Sequence, residues 1–159
     1  MNWGTVAMGQ DPEPGMAELL ERAHQEQLAL CDSLEAIADS LPDEVDPAAC
    51  MKAARAIGPL LLRAHAIEQE TIFPALAGLR IGGLDLLPTI ERLKLEHYQD
   101  ECFAEELSDV LMSYGRGLPQ QTADATGYML RGFFDGLRRH VAFERELFGP
   151  LIRGGEARH

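Results

Sequence analysis

Four segments of this chain each place a histidine at helical spacing among apolar residues, and that repetition limits the fold more than any other feature. The clearest is HAIEQETIFPAL, residues 65–76, where His65 and Glu68 stand one helical turn apart amid Ile, Phe and Leu. His97 is followed four residues later by Glu101 and His140 by Glu144, while His24 stands alone on an earlier amphipathic segment. Apart from the terminal His159, these are all the histidines in the chain.

The apolar positions around them recur at three and four residues, which builds one face of a helix. Leu20, Leu28, Cys31, Leu34, Ile37 and Leu41 predict a first helix from about Pro14 to Ser40, with His24 near its apolar face. Asp46 then offers a cap and Pro47 suits a first helical position. Ile57, Leu61, His65, Glu68, Ile72 and Leu76 carry a second helix to about Leu79, with bends expected at Pro59 and Pro74. A third runs from Pro88 to about Tyr114 through Ile90, Leu93, His97, Glu101, Ala104, Ser108 and Leu111. The fourth runs from about Pro119 to Phe148 through Met129, Phe133, Leu137, His140, Glu144 and Leu147, with Gly149-Pro150 closing it or kinking its last turn. No segment alternates with a period of two, so no sheet is expected. Four helices with short links predict an all-α, antiparallel up-down-up-down four-helix bundle over residues 14–152. Residues 1–13, with Trp3 and a D-P-E-P-G run, read as a flexible or docked arm, and 153–159 as a tail.

Helical rise makes the four histidines meet. Measured from their nearer helix ends, they fall about 12 to 21 Å from one end of an antiparallel bundle. Four imidazoles at one level, accompanied by carboxylates that are costly to bury unpaired, predict a metal site. A cation neutralises the acids and uses the imidazole lone pairs. The candidate ligands are His24, His65, Glu68, His97, Glu101, His140 and Glu144. Imidazole and carboxylate without thiolate suit iron or manganese, and zinc by ligand type, but so many ligands exceed one tetrahedral zinc and fit two metals better.

Composition removes several alternatives. A net charge of -12 without a basic block opposes nucleic-acid or anionic-membrane partners. No run approaches a membrane span and the N-terminus has no leader pattern, so a cytoplasmic protein is expected. Cys31, Cys50 and Cys102 form no C-x-x-C pair and read as small buried side chains, Cys31 also as a possible lining of a pocket above the site.

The combined pattern resembles the hemerythrin-like, or HHE cation-binding, family: His on helix one, a His/Glu pair followed by an aromatic residue and Pro on helix two, His on helix three, and H-x-x-x-E on helix four. The resemblance covers about residues 14–150 and implies two non-haem irons with an oxo or hydroxo bridge. It implies that His24 and His65 hold one iron and His97 and His140 the other, bridged by carboxylates of helices two and four. The chain departs from the pattern twice. Family spacing puts Gln69, not Glu68, four residues after His65, but Glu68 lies roughly 60° from His65 on the apolar side and Gln69 roughly 40° to the other. Glu68 is therefore the expected bridge, with Gln69 an outer or alternative ligand. On helix three, Glu101 stands where oxygen carriers have a second histidine. Its added charge favours ferric iron over reversible oxygen carriage, unless Glu101 is only salt-bridged.

Three functions are compatible with these residues. The leading one is a binding or sensing module for O2, NO, peroxide or iron supply, with any signalling passed to a separate protein partner. The second is a di-iron enzyme turning over peroxide or nitric oxide or oxidising ferrous iron. The third is a metal-free bundle whose acidic surface binds a basic partner.

Overall fold

Asp46 and Pro47 begin a helix as their side chains dictate: the Asp46 carboxylate accepts a 2.9 Å hydrogen bond from the Ala48 amide, and Pro47 fills the first position, where no amide donor is needed. The computed structural model describes residues 14–79 and 82–156. The expected N-terminal arm with Trp3, and the last three residues of the tail, lie outside them. Helix α1 spans Met16–Ser40, α2 Pro47–Ile67, α3 Phe73–Ala77, α4 Leu87–Gly115 and α5 Ala123–Glu156. A π-helical turn, Glu68–Ile72, joins α2 to α3, so the two form one rod and the bundle has four. There is no β-strand among the described residues.

The π turn is the form taken by the bend expected near Pro74. A proline lacks an amide donor and crowds the carbonyl four residues back. Here the Phe73 amide donates to the Glu68 carbonyl, five residues back, which widens the turn just before the proline. Pro59, by contrast, is carried inside α2.

Helix α5 differs from expectation at both ends. It starts at Ala123 rather than near Pro119, because Thr122 Oγ1 accepts from the Ala125 amide at 3.2 Å and caps the first turn. It also passes Pro150 and continues to Glu156. Phe148 and Ile152, on either side of that proline, are both buried in one apolar cluster. Burying such side chains contributes about 1.5–3 kcal/mol each, enough to offset the roughly 3 kcal/mol that an interior proline costs.

Helix α1 packs on α2 and α5, and α4 packs on α2 and α5, which closes a four-sided bundle. Neighbours run antiparallel: Arg131, Arg138 and Arg145 of α5 meet Asp39, Asp32 and Glu21 of α1 in descending order. Exposed pairs of this kind add little stability but mark the register.

The interior is two apolar cores with a polar layer between them. One core gathers Leu30, Leu34, Ile57, Leu61, Leu107, Leu111, Leu130 and Phe134. The other, at the end holding both described termini, gathers Leu20, Ile72, Phe73, Leu76, Leu93 and Phe148. In every rod the histidine falls between the two sets. On α1 the buried stripe departs from expectation, since Leu28 is only half-buried and Gln27 takes the core position. The cysteines also differ: Cys31 and Cys50 are buried but Cys102 is exposed, on the outer face of α4 with Tyr98, Glu105 and Glu106. Cys31 sits in the first core, its thiol donating to the Phe134 carbonyl at 3.6 Å.

Candidate metal centre

Each rod delivers its polar residues by simple helical spacing. His24 comes from α1, His65 from the end of α2, Glu68 from the π turn, His97 and Glu101 from α4, and His140 and Glu144 from α5. Six of the seven are buried: Glu68, His97 and Glu144 have no exposed surface, and His140, the least covered, retains 8 %. The Glu101 side chain is 32 % exposed and lies at the edge of the layer.

Glu68, His97, His140 and Glu144 each offer one ligand atom, and these atoms lie within 4.8 Å of one another. His97 Nε2 is 2.6 Å from Glu68 Oε2, and His140 Nε2 is 3.0 Å from Glu144 Oε1 and 3.9 Å from Glu68 Oε2. His24 Nε2 lies 2.7 Å from the other oxygen of Glu144. His65 stacks on His97 with ring centres 3.9 Å apart and planes inclined by 7°, and Phe73 stacks on His97 from the other core.

Around this inner set stands an outer one. Glu101 Oε1 is 2.6 Å from His65 Nδ1, the Gln69 amide nitrogen is 2.9 Å from His97 Nδ1, and Glu96 Oε2 is 3.5 Å from His140 Nδ1. Thus His65 and His97 have Nδ1 hydrogen-bonded to a polar side chain, leaving Nε2 for the interior, whereas Glu96 approaches His140 Nδ1 without a hydrogen bond. The three Nε2 atoms of His65, His97 and His140, Nδ1 of His24 and His140, both Glu68 oxygens and Glu144 Oε1 are buried without a hydrogen-bond partner of acceptable geometry among the described residues. Orphaned atoms of this kind are rare in folded proteins, since each costs roughly 1–3 kcal/mol. A cation that accepts their lone pairs removes the cost, so the residues fit a metal.

The protonation pattern shows the same competition. Burial alone raises a carboxyl, but at Glu68 the His140 and His97 rings outweigh it and hold the group well below the usual carboxylate range. At His140 burial opposes charge, yet Glu144 and Glu68 push the imidazole up to about 11. His65 moves down, because its burial outweighs the Glu101 contact. Asp100 moves up, again through burial.

The structure brings Glu68 inside and leaves Gln69 outside against His97, the arrangement that the apolar stripe favoured. The sequence reading missed Glu96 and Gln27. Glu96 shows no distinguishing spacing, but Gln27, three residues after His24 on a leucine-rich face, was detectable as a polar residue in an apolar stripe. Two clefts border the layer. One of about 380 Å³ between α4 and α5 touches His140, Glu96 and Asp100, and one of about 400 Å³ between α1 and α5 touches His24 and Leu20.

No helix among the described residues is long and apolar enough to cross a membrane. No curated protein and no solved structure matches the chain. The family model described as the hemerythrin HHE cation binding domain matches residues 15–152, the whole of the bundle apart from the last turn of α5. With four antiparallel rods, a His/Glu layer between two apolar cores, and that match over most of its length, the chain belongs to the hemerythrin HHE cation-binding family.

Proposed function

We propose that the layer holds two non-haem irons and that the protein binds or senses a small ligand, O2, NO or peroxide. The inner ligands are His24, His65, Glu68, His97, His140 and Glu144, with Glu68 and Glu144 between the histidines. Glu101, Gln69 and Glu96 act from outside. The observation that carries this reading is the division of ring nitrogens: an outer side chain is hydrogen-bonded to Nδ1 of His65 and of His97, while Nε2 of both stays unpartnered within. Metal-binding histidines are oriented in this way, and the outer partner fixes the ring and raises its basicity.

Iron bound there supplies one-electron redox chemistry and affinity for small ligands. The chain's own residues do the rest. Glu101 accepts the Nδ1 proton of His65 and so selects the tautomer with a free Nε2. The Gln69 amide, which can present oxygen or nitrogen, serves His97 similarly. The apolar cores above and below exclude water, and the two bordering clefts reach His24 and His140 from outside.

Metal analysis of protein produced with ample iron, with its visible spectrum in air and after reduction, tests the proposal. Near two irons per chain with ferric bands that bleach on reduction is the expected result. Stoichiometric zinc, or a well-folded chain without metal, refutes it.

A further inference from the structure

Among the described residues Gln27 is the one neutral amide that is completely buried, and neither its Nε2 nor its Oε1 has a hydrogen-bond partner among them. Thr126 Oγ1 aside, every other buried side-chain atom in that condition belongs to the His/Glu layer. An amide without partners in an apolar core costs a few kcal/mol, so its place asks for a reason.

Its position supplies one. Gln27 follows His24 by three residues on the same buried face of α1, and side chains at that spacing are neighbours. Side chains of a helix lean toward its N-terminus, so Gln27 covers the turn that carries His24. The same helix packs on the π turn that carries Glu68. The unpartnered atoms of the layer are imidazole nitrogens and carboxylate oxygens, already matched to a cation by their chemistry, whereas an amide N–H is a weak match for a metal and a good match for an anion.

We infer that Gln27 is a ligand-selecting residue: its Nε2–H donates a hydrogen bond to a small monoanion held in the metal layer, and so favours anionic over neutral diatomic ligands. The inference rests on the metal reading above. It concerns how the bound ligand is recognised rather than how the metal is held.

The test compares the iron-loaded wild type with Gln27→Met, which keeps the volume and loses the donor. Iron content is measured first, then azide affinity of the ferric protein and nitric oxide affinity of the reduced protein. The expected result is unchanged iron, azide binding weakened about tenfold to a hundredfold, and nitric oxide binding altered much less. Equal azide affinity in an iron-replete variant overturns the inference alone, as do parallel losses for both ligands or loss of iron. A wild-type chain that takes up no iron overturns the metal reading with it. Should Gln27→Met not fold, the wild type decides: the azide stretch of the ferric protein shifts in D2O if an exchangeable N–H is bonded to it, and no shift overturns the inference.

Discussion

Replacing Glu68 and Gln69 separately by alanine tests how the second rod presents its polar residues. The two are adjacent in sequence but differ in surroundings: Glu68 has no exposed surface, whereas Gln69 is exposed apart from its amide contact to His97. Glu68→Ala takes away the carboxylate 2.6 Å from His97 and 3.9 Å from His140 and leaves His140 with Glu144 as its only inner acid. Removing one partner of a buried ion pair costs about 3–5 kcal/mol. Gln69→Ala loses one hydrogen bond, about 0.5–1.5 kcal/mol. For a chain of this size each kcal/mol moves Tm by about 2–4 °C, so metal-free Glu68→Ala melts about 6–20 °C lower and Gln69→Ala about 1–6 °C lower. On the proposed assignment metal content separates them further, since loss of an outer partner weakens metal binding about 10–100-fold, whereas loss of Glu68 takes away a carboxylate that both metals would share. Thermal melts of the stripped proteins and iron analysis of the loaded ones measure both. If Gln69→Ala empties the site and Glu68→Ala keeps its iron, the reasoning from the apolar face is wrong.

Three further outcomes follow from the geometry. Only Cys102 reacts with a thiol reagent in the folded protein, because burial pushes Cys31 up to about 11 and raises Cys50 as well; a count above one thiol per native chain contradicts this. The metal-free protein keeps His140 protonated at neutral pH, and with its pKa raised from 6.5 to about 11 the associated stability is complete below 6.5 and lost as pH rises through 11. Melts of stripped protein should decline over that window and decline less in His140→Gln; an identical slope in the variant argues against it. Gly115→Ala costs about 1–3 kcal/mol, since its Cβ meets Met51 Cβ at 3.2 Å and the Pro47 carbonyl at 3.3 Å. Gly132→Ala, which meets only Phe103 Cζ at 3.9 Å inside α5, stabilises by about 0.5–1 kcal/mol, and denaturant unfolding of both variants gives the signs.

The burial of His65, Glu68, His97, His140 and Glu144 was legible because a side chain carried inside by a helix must share a face with the apolar residues buried beside it, and that periodicity is written locally. The cap at Asp46 was legible for the same reason, as both its partners are within two residues. The run past Pro150 was not, because its cause is the burial of Ile152 in a cluster built from α1, the π turn, α3 and α4 as well as α5. Cys102 was misread because the tendency of free cysteine to be buried was set above the helical period, which puts it about 140° round α4 from the inward His97.

The order of histidines and acids, their spacing and the near-continuous amphipathic stripes thus determined the helix count, the antiparallel bundle and the level at which the polar residues meet. What the sequence could not decide is which nitrogen of each ring faces inward, and that Glu101 and Gln69 stand outside as partners of Nδ1 of His65 and His97. Those assignments depend on distances between rods far apart in the chain. A helical period places a residue on a face to within tens of degrees, whereas hydrogen bonding requires atoms placed to within a few tenths of an ångström.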